Sequence, residues 1–209
     1  MRLVLATHNR DKIKEIKAIC QNPALKFITL EQVCPKLTIS ERGKTLSANA
    51  RHKALIAMRA TNLPSLAEDT GLEVFALGGS PGVYSARYAG KNAGYKDNIR
   101  KLLKMMAQLK GKQRRARFRS VFAFALPDKK VYLFEGTCYG TIATKPKGRK
   151  GFGYDPVFIP SGYKKTFGEL SAQTKNRISH RAKALKKFKQ FLKRIVRLRR
   201  TTRGVTRTK

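Results

Sequence analysis

The chain has 209 residues and a mass of 23.5 kDa, a size that predicts one domain or two closely joined lobes around a substantial core. Its 47 lysines and arginines, against 12 aspartates and glutamates, give a formal net charge of +35 and a pI of about 10.8. Such a charge favours polyanionic partners, which include nucleoside triphosphates, nucleic acids and acidic membrane surfaces, but does not choose among them.

The composition excludes several other classes of protein. Cys20, Cys34 and Cys138 are far apart, without a CxxC pair, and only three histidines accompany them. This is not the pattern of a structural zinc site, and it predicts reduced thiols. No apolar run has the length of a signal peptide core or a membrane span. We therefore expect a soluble, cytoplasmic protein without a membrane partner.

The apolar patterns predict alternating strands and helices. Residues 2–6 form a short apolar run, and the helical spacing that follows, with Asn9 as N-cap, predicts a strand, a polar turn and a helix. In a second predicted helix, residues 45–59, Asn49 and Lys53 share one face because they lie four residues apart. The other predictions are strands at 26–30 and 65–67, a helix at 94–109, a hairpin of 118–125 and 131–134, a loop at 145–153 and a terminal helix at 179–198.

The first polar turn has the residue types of a phosphate site. Thr7, Asn9 and Lys12 lie between the first strand and the start of the first helix. The free N–H groups and positive dipole end of a helix N-terminus stabilise a phosphate, and a hydroxyl, an amide and an ammonium would complete the site. The alternative is a capped helix with a solvated lysine.

Two adjacent acids stand out in a chain that has few. Glu68 and Asp69 are predicted to lie at the end of the strand, just before Thr70. Carboxylates in that position can hold Mg²⁺ together with substrate phosphates and orient a water molecule. Glu41 is a third acid that could join them. The alternative is a turn in which Asp69 bonds its own backbone.

A glycine-flanked loop and the start of the last helix have the residue types of a base pocket. Phe152 offers a stacking face, while Lys175, His180 and Arg181 offer hydrogen-bond donors. A pocket with donors facing position 6 accepts a 6-oxopurine and rejects adenine, because adenine would leave buried polar groups unpaired. The alternatives are core packing for Phe152 and Tyr154, and a capping or buried role for His180.

Four segments, ATHNRDK, LAEDTGLEVFALGGSPGVYSARYAG, GFGYDPVFIP and SHRAKAL, resemble the inosine triphosphate pyrophosphatase (Ham1-like) family. The likeness runs in order from about residue 2 to residue 190. It implies Mg²⁺-dependent hydrolysis of ITP, dITP and XTP to the monophosphate and pyrophosphate, which cleanses the nucleotide pool. It also implies a homodimer and an α/β fold, in which an elongated mixed β-sheet is flanked by helices and an active-site cleft separates two lobes.

The resemblance also implies roles for individual residues. Asp69 matches the catalytic acid that activates water, and Asp69, Glu68 and Glu41 are the implied metal ligands. Lys12, Lys53 and Lys175 are expected to neutralise the phosphates. The full implied set of substrate contacts is Thr7, His8, Asn9, Arg10, Asp11, Lys12, Lys53, Thr70, Phe152, Gly153, Tyr154, Asp155, Lys175, His180 and Arg181.

The chain departs from the family pattern in two places. Relatives often carry a metal-ligating acid three residues before the position of Gly43, where this chain has Ser40, so Glu41 would take that role with a shift of one residue. The basic C-terminus also runs past the usual end of the family. We expect residues 1–198 to form a single two-lobed pyrophosphatase domain, followed by a disordered basic tail at 199–209.

Two other functions stay open at this stage. The charge and the tail could mark a nucleic-acid-binding protein built on a nucleotide-binding fold, or an enzyme whose tail binds nucleic acid weakly and without specificity. The second of these functions is that of the structurally related Maf-type pyrophosphatases, although the GFGYDP and SHR segments argue against it.

Overall fold

A computed structural model describes residues 1–41 and 43–205, with side chains up to Ile195. Six strands form one mixed sheet in the order β2-β1-β3-β4-β5-β6. Strand β1 is parallel to both β2 and β3, and the remaining neighbours are antiparallel. The strands are β1 (Arg2–Leu5), β2 (Lys26–Thr29), β3 (Ser65–Val74), β4 (Arg115–Ala125), β5 (Val131–Ile142) and β6 (Phe158–Pro160).

Helices cover both faces of this sheet, which confirms the predicted α/β class. They are α1 (Arg10–Ile19), α2 (Leu30–Val33), α3 (Leu46–Thr61), α4 (Tyr95–Met105), α5 (Ala172–Ile178) and α6 (His180–Val205). Asn9 caps α1, as predicted, by accepting a hydrogen bond from the Lys12 backbone N–H at 3.0 Å. Short 3₁₀ turns, among them Gly82–Arg87, connect the larger elements.

Strand β3 is longer than the sequence predicted. The sequence predicted that this strand ends at residue 67, so that Glu68 and Asp69 would lie at its edge. The strand instead continues to Val74 and pairs with β4 along its whole length. The two acids therefore lie in the middle of a central strand, held there by the ladder on β4, and polar composition alone did not reveal this.

Glu68 and Asp69 lie at the boundary between separate clusters of the hydrophobic core. Leu66 and Ala67 belong to two clusters on opposite faces of the sheet, packed under α1 and α6 on one side and under α3 on the other. Leu72 and Val74, farther along the same strand, belong to a third cluster with α4 and β6. Polar residues 68–70 of β3 lie between these cores, which is where a cleft between two lobes is expected.

The last helix packs its apolar face against the sheet. The Phe188 ring lies 5.3 Å from that of Phe124 on β4 and 5.5 Å from that of Phe134 on β5. Gly136 lets the start of α6 approach closely, because a Cβ there would lie 2.1 Å from the backbone oxygen of His180. A single glycine in β5 thus decides how deeply the His180–Arg181 pair enters the molecule.

The backbone of α6 extends past the predicted end of the helix at residue 198, up to Val205. The proposed tail falls on residues whose side chains, and from residue 206 also the backbone, lie outside the described part of the chain. The division into a domain at 1–198 and a tail at 199–209 stays a prediction. Within residues 1–41 and 43–205, no helix combines the length and apolar character needed to cross a membrane.

Candidate active site

The turn between β1 and α1 presents one half of the cleft. The Thr7 hydroxyl accepts a hydrogen bond from the Asn9 backbone N–H at 3.2 Å, which fixes the turn in front of the helix. Lys12 lies one turn into α1, and its ammonium is 3.9 Å from the carboxylate of Glu68. Burial lowers the pKa of Lys12, although Glu68 partly opposes the shift. Asn9 and Lys12 both line the cleft.

Three neighbours from the same segment do not line the cleft. His8 is exposed, and its Nε2 lies 3.0 Å from the backbone oxygen of Leu37. The side chain of Arg10 is 89% exposed and contacts Glu31 only at 4.0 Å. Asp11 accepts a hydrogen bond from the Tyr95 hydroxyl at 3.1 Å, at the rim of the cleft. The structure therefore separates His8 and Arg10 from the other predicted substrate contacts.

Glu68 is fully buried on the face of β3 that meets α6. Its carboxylate accepts hydrogen bonds from the hydroxyls of Ser120 at 2.6 Å and Thr70 at 2.7 Å, and from Arg181 Nε at 3.1 Å. Burial favours protonation, but the charges of Arg181 and Lys12 outweigh it and hold the pKa of Glu68 well below its usual range. Glu68 is thus an ionised counter-charge for Arg181.

Asp69 faces the other side of the strand, toward α3. Its two oxygens accept hydrogen bonds from Asn49 Nδ2 and Lys53 Nζ, each at 3.0 Å. These are the two residues whose shared helix face was predicted. Burial raises the pKa of Asp69 even though Lys53 opposes the shift. A buried carboxylate whose pKa is raised toward neutrality suits general-base catalysis.

Glu41 joins Asp69 at the ammonium of Lys53. Its Oε1 lies 2.5 Å from Lys53 Nζ, and its Oε2 lies 3.4 Å from Arg87. Burial opposes ionisation of Glu41, but Lys53 outweighs it and lowers the pKa. Ser40, at the position where relatives often carry the acid, is exposed. Of the three predicted metal ligands, Glu41 and Asp69 meet at one point and Glu68 lies on the opposite face of β3.

Residues 151–155, here called the base loop because the sequence predicted a base pocket there, are built around Asp155. Its carboxylate accepts a hydrogen bond from the Phe152 backbone N–H at 2.8 Å and forms an ion pair with Lys175. Gly151 has φ +73°, and a Cβ there would lie 2.0 Å from Asp155 Oδ2, so the loop closes tightly over the carboxylate. Burial raises the pKa of Asp155 despite the nearby ammonium. Asp155 thus holds the loop in place.

The two aromatic residues of the loop have different environments. Tyr154 is almost fully buried, and its hydroxyl donates to the backbone oxygen of Ser85 at 2.9 Å, so it packs in the core while one part of it borders the cleft. Phe152 is half-buried in the cleft, with Lys175 Nζ 4.8 Å and Arg181 Cζ 5.3 Å from the ring centroid. Phe152 is therefore the aromatic face that a ligand can reach.

His180 presents a hydrogen-bonding atom that the protein leaves unused. Its ring stacks on Phe118 at 4.6 Å, and its Nδ1 is buried without a hydrogen-bond partner among the described residues. Burial, reinforced by the charge of Arg181, lowers the pKa of His180 well below its usual value. The imidazole is neutral at pH 7, and an orphaned polar atom of this kind is costly unless a ligand completes it.

Sequence reasoning missed two residues of the site. Glu15 on α1 forms ion pairs with both Lys175, at 2.6 Å, and Arg181. It is one of only 12 acids and lies one turn after Lys12, which is the signal that could have identified it. The Tyr95 hydroxyl accepts a hydrogen bond from Asn9 Nδ2 at 3.2 Å across the cleft mouth. Nothing in the sequence around Tyr95 marks this contact.

The turn, the strand and the base loop open onto one cleft of about 610 Å³, measured to its open mouth. Asn9, Lys12, Thr70, Phe152 and His180 are among its lining residues. Asp69 and Lys53 lie beyond Lys12 on the far side of β3, where the charges of Lys12 and Asp69 still affect each other. The cleft can hold a ligand with a phosphate end at Lys12 and a planar end at Phe152.

Comparisons with known proteins show which family this chain resembles. Residues 3–191 match the model of the Ham1 family. A relative from Desulforamulus reducens named dITP/XTP pyrophosphatase is 44% identical over 93% of this chain and 97% of its own length, and one of the same name from Geobacter sulfurreducens is 44% identical over 91% and 96%.

Solved structures agree as well. The Staphylococcus aureus Ham1 protein superposes with a TM-score of 0.83 at 40% identity, covering 92% of this chain and 98% of that one. A HAM1 protein from Coxiella burnetii gives 0.85 at 37% identity, covering 93% and 99%. This chain therefore belongs to the Ham1 family.

Proposed function

We propose that this chain hydrolyses non-canonical purine nucleoside triphosphates, namely ITP, dITP and XTP, to the monophosphate and pyrophosphate. The observation that carries the proposal is the single cleft that joins the Asn9–Lys12 turn to Phe152 and the unpaired Nδ1 of His180. The names of the relatives from Desulforamulus reducens and Geobacter sulfurreducens support it. The Maf-type alternative lacks comparable support, because the family match spans residues 3–191.

The base end of the cleft supports selection of a 6-oxopurine. Phe152 provides the stacking face, and the neutral imidazole of His180 can donate one hydrogen bond from the ring nitrogen that is otherwise unpaired. In the tautomer that carries the proton on Nδ1, adenine would leave both this nitrogen and its own position-6 amino group unsatisfied, because both are donors. Arg181, locked by Glu68 and Glu15, keeps its guanidinium beside the Phe152 ring.

The phosphate end supports charge neutralisation. Lys12 and Lys53 approach β3 from the two sides, where Lys12 lies near Glu68 and Lys53 binds Asp69. Lys175 was predicted to share this task. Its ammonium is instead held by Asp155 and Glu15 beneath Phe152, so we assign it to the base loop.

Asp69 is the general base of the proposed reaction. Its carboxylate would take a proton from the attacking water, and its raised pKa makes it a better proton acceptor than an exposed aspartate. Asn49 and Lys53 fix both of its oxygens, so the direction of attack is set before substrate enters.

The donor set fits Mg²⁺ at Glu41 and Asp69. Magnesium is usually held by one or two carboxylates together with substrate phosphates, and these two carboxylates converge on one ammonium. Among the described residues no three His, Cys, Asp or Glu side chains are grouped to hold a metal ion, which suits a site completed by the triphosphate. When bound, Mg²⁺ would screen the triphosphate and stabilise the departing pyrophosphate. Glu68 is not among these proposed Mg²⁺ ligands, because its carboxylate already binds Arg181.

The remaining expectations concern the oligomeric state of the protein and its location in the cell. We propose a cytoplasmic homodimer on the strength of the family resemblance, and sedimentation at moderate salt would test it because self-repulsion of a +35 protomer is screened there.

Pyrophosphate release from ITP, XTP, GTP and ATP with Mg²⁺ tests the proposed reaction. We expect strong release from ITP and XTP and little from ATP, whose 6-amino group the cleft rejects. Low release from GTP is also expected, but from the family resemblance, because GTP carries the same 6-oxo group and the contact at position 6 does not distinguish it. Equal release from all four would remove the base-selection role of the cleft, and no release from any would remove the proposed activity.

A further inference from the structure

A second concave surface lies behind the active-site cleft. Helices α1, α5 and α6 pack against each other and leave between them an open groove of about 1360 Å³, measured to its open mouth as for the cleft. Helix α5 separates the two cavities, because its Lys175 lines the cleft while Gln173, Asn176 and Arg177 line the groove. The groove takes no part in the proposed hydrolysis.

The lining of this groove is cationic and rich in amides. Lys186, Lys189 and Lys193 project into it from α6, and Arg177 projects from α5. Side-chain amides, among them Gln190, fill the space between the cations. No acid occurs among the described lining residues, and the whole chain from Leu170 to Lys209 contains none. No carboxylate of the groove therefore neutralises these charges. Lys189 Nζ donates a hydrogen bond to the backbone oxygen of Ile19 at 3.2 Å, which leaves Lys186 and Lys193 as the cations most available to a ligand.

Helical spacing places these cations in a row. Ala182, Lys186, Lys189 and Lys193 are separated by four, three and four residues, which puts them on one face of α6. Lys186 and Lys193 are about 10 Å apart along the helix axis, close to the rise of three nucleotides at about 3.4 Å each. Ala182 has no long side chain, so one end of the row is open. The row matches a linear chain of phosphates better than a single anion.

The geometry favours nucleic acid over a membrane surface. A helix that binds a bilayer lays its apolar face into the lipid, but the apolar face of α6, with Leu185, Phe188 and Leu192, is buried against the sheet. The groove is also concave, whereas a bilayer presents a broad surface. Amide side chains can hydrogen-bond sugar hydroxyls and base edges, which a phosphate-only ligand lacks.

We propose that the groove between α1, α5 and α6 binds the phosphodiester backbone of nucleic acid, with Lys186 and Lys193 as its principal phosphate contacts. Binding is independent of sequence, because cations and flexible amides contact the backbone without a fixed base-reading geometry. The same surface can accept RNA or DNA, and the experiment separates them.

The test measures fluorescence anisotropy of labelled single-stranded RNA, single-stranded DNA and duplex DNA with the full chain, between about 50 and 200 mM salt. The variant is Lys186→Gln/Lys193→Gln. Its matched control, Lys110→Gln/Lys112→Gln, removes the same charge from exposed lysines on another part of the surface. Vesicles with and without an anionic lipid are the fourth probe.

We expect the unmodified chain and the control to bind nucleic acid with a steep salt dependence. For a single strand, the negative slope of log K against log salt becomes shallower by about 1.4 in the groove variant, since each lost phosphate contact removes about 0.7 from its magnitude. ITP hydrolysis stays unchanged in both variants, which separates this proposal from the proposed enzymatic function.

Three results would overturn the proposal. The first is absence of binding at the lowest salt. The second is an equal loss in groove variant and control, which would assign binding to the net charge alone. The third is a groove variant that loses vesicle binding and keeps nucleic-acid binding, which would assign the groove to a membrane.

Discussion

Glu68 and Asp69 are neighbours in the chain, yet their carboxylates lie on opposite faces of β3 and hold different cations. Glu68 binds Arg181 on the α6 side, and Asp69 binds Lys53 on the α3 side. Side chains alternate across a strand, so extension of β3 through these residues is what divides them. The two acids therefore have different roles. Glu68 holds Arg181 in the pocket, and Asp69 is available as the general base.

The Asp69→Asn variant tests the role of Asp69 as the general base. Asparagine keeps the size of the side chain and still accepts a hydrogen bond from Lys53, but it cannot take a proton from water. We expect kcat for ITP to fall at least about 10²-fold, the usual lower bound for losing a general base, while calorimetric nucleotide binding is retained. Full activity in this variant would exclude Asp69 as the base.

The Glu68→Gln variant tests the role of Glu68 in holding the buried guanidinium of Arg181. The change leaves the fully buried guanidinium of Arg181 with Glu15 as its remaining carboxylate partner. Breaking a buried pair in this way costs about 3 to 5 kcal/mol in the free energy of unfolding. Chemical denaturation measures the loss. Glu135→Gln is the matched control, because Glu135 pairs with Arg119 at the surface, where such a pair contributes less than about 1 kcal/mol. Similar losses in both variants would contradict the assignment.

The Tyr95→Phe variant tests whether the cleft mouth is closed before substrate binds. The Tyr95 hydroxyl holds Asn9 at 3.2 Å and donates to Asp11 at 3.1 Å, so a phosphate must displace it to reach the Asn9 amide. A hydrogen bond of this kind contributes about 0.5 to 1.5 kcal/mol. We expect KM for ITP to fall about two- to tenfold with kcat unchanged. Tyr84→Phe, at an exposed tyrosine outside the cleft, is the control, and a raised KM in Tyr95→Phe would show that the hydroxyl assists binding instead.

The sequence predicted the parts of the site that depend on local chemistry. The capped turn at Asn9, the face shared by Asn49 and Lys53, and the hairpin of β4 and β5 all follow from spacing along the chain. The extension of β3 through two acids could not be predicted, because the cations that stabilise them come from residues 12, 53 and 181.

Long-range pairing likewise explains the other surprises. Glu15 contacts residues 160 and 166 positions away in the chain, and Tyr95 reaches Asn9 across 86 positions. The spacing of residue types along the chain does not predict contacts between residues so far apart in sequence. His8 and Arg10 stand in the same motif as Asn9 and Lys12, but the extended turn before α1 directs His8 toward Leu37, and the first helical turn directs Arg10 toward Glu31.

The buried imidazole of His180 predicts a pH dependence of stability. Burial and Arg181 lower the pKa of His180 in the folded state, whereas in the unfolded chain it returns to about 6.5. Below about pH 6.5 the unfolded state therefore binds one more proton at this residue than the folded state does. Stability is full above that pH and falls as the pH drops, by up to about 1.4 kcal/mol per unit.

Denaturant titrations from pH 7.5 down to about 5.5 measure this slope. In this range Asp69 and Asp155, whose folded-state pKa values are raised, act with the opposite sign, because a raised carboxyl pKa gains stability as the pH falls. The comparison of slopes with the His180→Gln variant isolates the histidine, and His8→Gln, at an exposed histidine, controls for loss of an imidazole elsewhere. An unchanged slope in His180→Gln would show that folding does not lower the pKa of His180, and would contradict the assignment of a neutral, buried imidazole.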